Sequence, residues 1–267
     1  MREILVRSLS GLLYVSLIVS SALFSNLAFI LVLFLFSALA LFEFQKLLHY
    51  KSPIPFLFFS LLVYQFYFGK PNNSLHFGLL GFCVLINFFL ALMLISKRSF
   101  EFPPIQKSGL TLFYLISSGY FIIASTKFES SWMNGITLSM YFLIWTNNSF
   151  AYLSGKKWGK TPLFPEVSPK KTWEGFWGGA FACFLLSFFL VYYHKDFQFW
   201  VYPILAIIII ITATIGDLVQ SKFKRQANVK DSGSLIPGHG GFYDRMDSVL
   251  FTAPFVNLFL ILVNYVS

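Results

Sequence analysis

Apolar runs separated by short polar, proline- or glycine-bearing joints follow one another along almost the whole chain. They lie near residues 9–24, 27–48, 54–69, 75–96, 109–126, 134–154, 173–193, 200–221 and 247–266. Crossing about 30 Å of hydrocarbon takes roughly 20 apolar residues in a helix, so the pattern predicts about nine membrane-crossing segments. The runs at 9–24 and 54–69 are short for a full crossing and fit a tilted or partly re-entrant segment. Helices are the expected form, because an open sheet edge facing lipid leaves backbone groups without partners. The start, MREILVRSLSGLLYVSLIVSSALFS, has the basic lead and apolar stretch of a signal peptide. More apolar segments follow at once, so it is read as an uncleaved first span.

Composition agrees with that pattern. The chain has 267 residues, 57% hydrophobic and 12% charged, with 35 phenylalanines. Its mean hydropathy of +0.69 implies more apolar surface than one soluble core of this length can hide. The expected fold class is therefore an all-α, polytopic integral membrane protein. Cys83 and Cys183 both sit inside apolar runs, where a thiol behaves as a small hydrophobe, so neither a disulfide nor a redox site is expected.

Charge sets the expected orientation. With nine spans and a cytoplasmic N-terminus, 17 of the 20 lysines and arginines fall on the cytoplasmic side, and only Lys70, Lys127 and Lys195 fall outside. The net charge of +9 then follows from topology and from attraction to anionic headgroups, with no nucleic acid as partner. Chain length and the lack of a targeting extension point to a bacterial plasma membrane, with the site at its cytoplasmic face.

Two cytoplasmic joints, about 155–172 and about 222–246, are much longer than a helix connector needs. The chain reads as a single membrane domain, with N-terminal helices over 1–130 and a catalytic half over 131–267 that carries both loops. In the first loop Lys156, Lys157 and Lys160 alternate with Gly155 and Gly159, and Lys170 and Lys171 follow. Mobile point charges beside glycine, whose backbone amides can approach an anion closely, suit phosphate binding.

The second loop concentrates more chemistry. Asp217 ends an apolar span, with Ser221, Lys224 and Arg225 at i+4, i+7 and i+8 on one helical face. An ionisable residue at such a position is a functional candidate by default. Asp244 and Asp247 are three residues apart at the start of the last helix, so both carboxylates can face one point. Complementing the helix dipole accounts for one of them, but not for the Pro237-Gly238-His239-Gly240-Gly241 that precedes them. Three carboxylates from two helix ends, with lysines and arginines around them, form a set suited to Mg²⁺ and a polyphosphate. Zinc is disfavoured, because neither cysteine is near. The sequence has no Walker A loop and no G-x-S-x-G elbow.

The stretch SKFKRQANVKDSGSLIPGHGGFYDRMDS, Ser221 to Ser248, resembles the signature of the phosphatidate cytidylyltransferases, also called CDP-diacylglycerol synthases. Ser221, Lys224, Arg225, Lys230, Asp231, Pro237, His239, Gly240, Gly241, Asp244, Arg245 and Asp247 fall in register with it. The similarity extends to Gly216-Asp217-Leu218, to VSPKKTWEGFWGG from Val167 to Gly179, and less distinctly to Glu43-Phe44. The resemblance implies that CTP and phosphatidic acid give CDP-diacylglycerol and pyrophosphate, with Mg²⁺ required. It implies Asp217 and Asp244 as metal ligands, with Asp247 assisting or orienting. Lys224, Arg225 and Lys230 would meet the triphosphate, and Lys170 and Lys171 the lipid phosphate or the triphosphate. Ser221, Lys222, Asp231 and Arg245 complete the substrate-binding set. His239 is assigned to phosphate contact within the catalytic group, since a phosphate monoester is already anionic and needs no general base.

One position departs from the family pattern. Where the family carries Asn-Asp-(Ser/Thr)-x-Ala-Tyr, this chain has WTNNSFAYLSG, so Asn148 stands in place of the aspartate. An oxygen ligand is kept there and a negative charge is lost. Two other readings remain open at this point. One is a different CTP-dependent membrane phosphotransferase such as a lipid kinase; the other is an anion transporter with Asn147, Asn148 and Asp217 along its path. A homodimer is an open option for the assembly.

Overall fold

The structure, a computed structural model, describes residues 2–69, 72–96, 99, 101–128, 135–194, 197–238 and 240–266. Lys70, Lys97, Arg98, Lys195 and the site candidate His239 lie outside the described residues.

Helices dominate, as expected for a chain whose backbone must satisfy itself in lipid. In order they are α1 (Arg2–Phe24), α2 (Asn26–Leu47), α3 (Ile54–Phe68) and α4 (Asn73–Ile95), then a rod over Pro104–Lys127 that contains α5 (Pro104–Gly109) and α6 (Ser117–Ala124). After them come α7 (Gly135–Trp158), α8 (Trp173–Tyr193), α9 (Val201–Gln226) and α10 (Tyr243–Val266). Side chains fix several starts: Ser25 Oγ accepts from Ala28 N, Asn72 Oδ1 from Leu75 N, and Thr172 Oγ1 from Gly175 N, each filling an otherwise orphan amide. The Pro104–Lys127 rod includes a wider π segment over Leu110–Ile116.

Six of these rods, α2, α4, Pro104–Lys127, α8, α9 and α10, are long and apolar enough to cross a bilayer. α1 and α3 offer the shorter apolar stretches Leu9–Phe24 and Ile54–Phe68. α7 is as long as the six but carries Asn147, Asn148, Lys156 and Lys157. Exposed phenylalanines and leucines recur at helical spacing on α4 (Phe82, Leu85, Phe88) and α8 (Phe181, Leu185, Phe188), which marks lipid-facing stripes. The protein is an all-α, polytopic membrane protein.

Two boundaries differ from the sequence expectation. The first long loop is shorter than 155–172, because α7 continues to Trp158 and the remainder forms a small antiparallel hairpin, β1 (Pro162–Phe164) with β2 (Ser168–Thr172). The second is shorter than 222–246, because α9 runs on to Gln226 and α10 begins at Tyr243. The reason is the same at the C-terminal ends of α7 and α9. Lysines and arginines complement the C-terminal pole of a helix, and their long stems let it continue past the apolar layer.

The C-terminal helices pack closely. α7 and α8 form a tight hairpin, in which a Cβ added at Gly179 would lie 2.5 Å from the Asn147 carbonyl. α9 and α10 approach where Gly216 faces Phe251, with Thr212 and Thr252 hydroxyls 3.0 Å apart one turn away. α10 also packs on α2 and α6, which makes it the centre of the bundle. The start of α1, the end of α2, the β-hairpin and the α9–α10 loop all gather at one end of the rods: Ser10 Oγ donates to the Pro237 carbonyl at 3.0 Å, and Tyr14 hydroxyl to the Arg245 carbonyl at 3.4 Å.

A Cβ at position 216 would stand 2.5 Å from Phe251 Cβ, an atom that cannot swing away. Gly216→Val is therefore expected to destabilise the protein by roughly 1–3 kcal/mol through overpacking. Thermal unfolding in detergent checks this, with Ile211→Val on the exposed side of α9 as the neutral comparison.

Candidate active site

Asp244 holds the gathered end together. It stands in the first turn of α10, and its carboxylate receives five donors. Oδ1 accepts from Gln220 Nε2 and from Lys224 Nζ, both at 2.7 Å. Oδ2 accepts from Ser232 N at 2.8 Å, Ser232 Oγ at 2.9 Å and Gly241 N at 2.9 Å. Two donors come from α9 and three from the α9–α10 loop, so one side chain fixes that loop against both helices. Gly240, at φ +84°, makes the turn possible, since a Cβ there would be strained and only 2.7 Å from Asp244 Oδ2.

A second carboxylate reaches the loop from the N-terminal part of the chain. Glu43 on α2 is 1% exposed, and its Oε2 accepts from Tyr243 N at 2.9 Å and from Ser232 Oγ at 2.7 Å. Tyr243 N belongs to the first turn of a buried helix and has no partner within it, so Glu43 supplies the acceptor that α10 lacks. The single hydroxyl proton of Ser232 is thus shared between Glu43 and Asp244. Sequence reasoning registered Glu43 only as part of a resemblance and did not single out Ser232 or Gln220. A lone acid at the end of an apolar helix is the signal that could have singled out Glu43.

Beside this knot lies a cavity of about 690 Å³, walled by α7, α8, α9, the β-hairpin and the start of α10. Asp217 and Asp247 face it from α9 and α10, Lys170 and Lys171 from β2, and Asn147 and Asn148 from α7. Lys171 Nζ is 2.6 Å from Asp217 Oδ2, and Ser221 Oγ donates to Asp217 Oδ1 at 3.3 Å. Asp247 is buried, and the hydrogen bond it receives is from Ser248 N at 2.6 Å. The charges that act on it are those of Asp217, Lys224 and Lys171. Asn148 Nδ2 donates to Ser248 Oγ at 3.3 Å, so the residue that replaces the expected aspartate lines the same cavity as Asp247. Tyr152, Leu163 and Phe176 give the same cavity an apolar wall.

Among the described residues, no three His, Cys, Asp or Glu side chains converge closely enough to hold one ion. Asp217 and Asp247 nevertheless fit a hard divalent cation: both present oxygen, both face one space, and two like charges there need a cation near them. Asp244 does not fit in this arrangement, because both its oxygens are occupied by donors.

The other sequence candidates sort by position. Asp231 and Arg245 line the large cavity and also a second one of about 520 Å³, where Lys230 joins them. Lys224 lines the first while paired with Asp244. Lys222 points elsewhere, donating to the Met93 carbonyl at the end of α4 at 3.1 Å, and Arg225 donates to the Val229 carbonyl at 3.1 Å. The hairpin that carries Lys170 and Lys171 is anchored by Glu174, whose carboxylate accepts from Lys160 N at 3.1 Å and Thr161 N at 3.2 Å.

Residues 5–263 match the family model described as the cytidylyltransferase family. The chain is 31% identical over 266 residues to a phosphatidate cytidylyltransferase of Bacillus subtilis (strain 168), covering 96% of this chain and 97% of that protein. It is 38% identical over 176 residues to the protein of that name from Staphylococcus aureus (strain COL), covering 64% of this chain and 65% of the relative. It is 37% identical over 176 residues to the one from Staphylococcus haemolyticus. The matched stretch is thus just under two thirds of the staphylococcal proteins' length.

Removing the Glu43 carboxylate leaves Tyr243 N without its acceptor and the Ser232 hydroxyl with Asp244 Oδ2 alone, at a cost of about 1–3 kcal/mol. Glu43→Ala is expected to speed amide exchange and proteolysis across residues 227–242 while the apolar helices stay protected. Glu43→Gln, which retains an acceptor oxygen, is expected to lose less. Hydrogen-exchange mass spectrometry in detergent measures both.

Proposed function

This chain belongs to the cytidylyltransferase family, and from that premise we propose that it transfers the cytidylyl group of CTP to the phosphate of phosphatidic acid. The products are CDP-diacylglycerol and pyrophosphate. The observation that carries this reading is the pairing of Asp217 and Asp247 with Lys171 and Lys170 around one cavity that also has an apolar wall, in a protein built to lie in a membrane. Such a cavity suits a substrate with phosphate at one end and acyl chains at the other. The bacterial relatives favour a plasma membrane, and the basic residues around the site favour its cytoplasmic face.

In the reaction an oxygen of the lipid phosphate monoester attacks the α-phosphorus of CTP, the bond to the bridging α–β oxygen breaks, and pyrophosphate leaves. A divalent cation such as Mg²⁺, held by Asp217 and Asp247, would supply charge neutralisation at the triphosphate oxygens. The chain's own residues do the rest. Lys170 and Lys171 on the hairpin and Arg245 on α10 offer positive charge to non-bridging oxygens and hold the two anionic substrates against their mutual repulsion. Tyr152, Leu163 and Phe176 support the acyl chains beside the lipid phosphate. The second cavity, joined to the first at Asp231 and Arg245, leaves room for the nucleoside. Asp244 keeps Lys224 and the loop in place rather than meeting substrate.

The transporter and kinase readings are not favoured. The site's charges gather at one end of the rods, and the amides of Asn87 and Asn257 deeper in the bundle donate to the carbonyls of Phe251 and Phe121, at 3.3 Å and 2.7 Å. The single chain carries no observation that favours a homodimer.

The test is the transfer of label from α-labelled CTP into lipid, in membranes supplied with phosphatidic acid and Mg²⁺. Asp217→Asn is expected to lower that transfer on the order of a hundredfold or more while leaving the protein folded in the membrane. Label from γ-labelled CTP in lipid would identify a kinase and overturn the reading, as would near-normal activity of the variant.

A further inference from the structure

The three aspartates near the cavity are treated differently by the fold. Asp244 is saturated by five donors, and Lys224 is one of them. Asp247 is buried and, among the described residues, receives the amide of its neighbour alone. Asp217 stands between these extremes: one oxygen accepts a weak hydroxyl bond, and the other holds the Lys171 ammonium at 2.6 Å.

Exposure separates the two lysine–aspartate pairs. Side chains of the Lys224–Asp244 pair are 12% and 6% exposed, whereas those of Lys171–Asp217 are 27% and 30% exposed and open onto the cavity. The first pair is walled in by other donors. The second can be broken by anything that enters the cavity and competes for Asp217 Oδ2. Lys171 is also close enough for its charge, after that of Lys224, to act on Asp247, so one ammonium serves two carboxylates that would otherwise repel each other.

We propose that Lys171 is a resident counter-ion of the cation site, which holds Asp217 and offsets Asp247 until a divalent cation takes its place and releases the ammonium to the phosphates. This rests on the reading that Asp217 and Asp247 hold a divalent cation. Its new content is that Lys171 competes with that cation instead of only assisting substrate. The geometry suits such an exchange. Lys171 lies on a two-stranded hairpin fixed at its base by Glu174, so the lysine stem can swing while the strand stays in place. Released, the ammonium remains beside Lys170 on the cavity wall, where the incoming phosphate oxygens need positive charge. The site is thereby kept near neutral before the cation binds and gains a free cation afterwards, so metal and nucleotide are expected to bind more tightly together than separately.

The probe is Mn²⁺ alone, titrated into purified full-length protein in detergent and followed by electron paramagnetic resonance, with no substrate present. A partly exposed ion pair contributes about 0.2–1 kcal/mol, so losing the competitor in Lys171→Met should tighten Mn²⁺ binding by about 1.4-fold to fivefold. Lys171→Arg, which keeps the positive charge, should not tighten it. Lys170→Met makes the same change in net charge next door and should raise affinity less than Lys171→Met does. Equal or weaker binding in Lys171→Met, or an equal gain in Lys170→Met, overturns the counter-ion role while leaving the cation reading intact. A wild-type protein that binds no Mn²⁺, with all variants alike, removes the cation reading and this role together. A structural defect cannot imitate the expected result, because damage to the site weakens metal binding.

Discussion

One carboxylate with five donors is what the gathered end of this protein is built around. Asp244 takes hydrogen bonds from α9, from the loop after it and from the amide just before its own helix. A buried charge survives only when its lone pairs are filled, and here filling them orders the loop. Glu43 extends the arrangement from α2, with Ser232 as the bridge between the two acids. The helices fix where the acids stand, and the acids in turn fix a glycine-rich segment that has little packing of its own.

Lipid explains why the polar chemistry is confined to one end. Within the apolar layer, backbone groups pair inside helices, and side-chain amides such as Asn87 and Asn257 turn to backbone carbonyls. Charges become affordable where the helices reach the boundary, and there α7 and α9 run on through their basic last turns. The same tolerance lets Lys222, in the final turns of α9, leave the cavity and donate to the end of α4.

Much of this was legible from residue order. Apolar runs located the rods, and the i, i+4, i+7, i+8 spacing grouped Asp217 with Ser221, Lys224 and Arg225, of which Ser221 bonds Asp217, Lys224 lines the same cavity, and Arg225 turns to the Val229 carbonyl. Periodicity also held information that went unused. Lys222, five residues after Asp217, lies about 140° round the helix, whereas Gln220 lies on the side of Lys224. Other features had no local signal. The hairpin over Pro162–Thr172 is too short and too proline-rich to show alternation, and it forms because Glu174 holds its base and Thr172 caps the next helix. The different fates of Asp244 and Asp247 were not readable either. Both are acids at the start of one helix, and what separates them is the loop that folds back onto the first and not onto the second.

That separation also gives meaning to the two lysine–aspartate pairs. They have nearly equal lengths, 2.6 Å and 2.7 Å, so distance does not distinguish them. Their surroundings do. Breaking Lys224–Asp244 would disturb a carboxylate that four other donors depend on, so the pair is maintained by the fold around it. Breaking Lys171–Asp217 disturbs one hydroxyl contact and opens a carboxylate to the cavity. An ion pair that the fold does not otherwise need, at the wall of a cavity, between a mobile side chain and an acid facing a second acid, is suited to exchange rather than to support. Rigidity at Asp244 and exchangeability at Asp217 are complementary: the first holds the loop still while the second lets charge move.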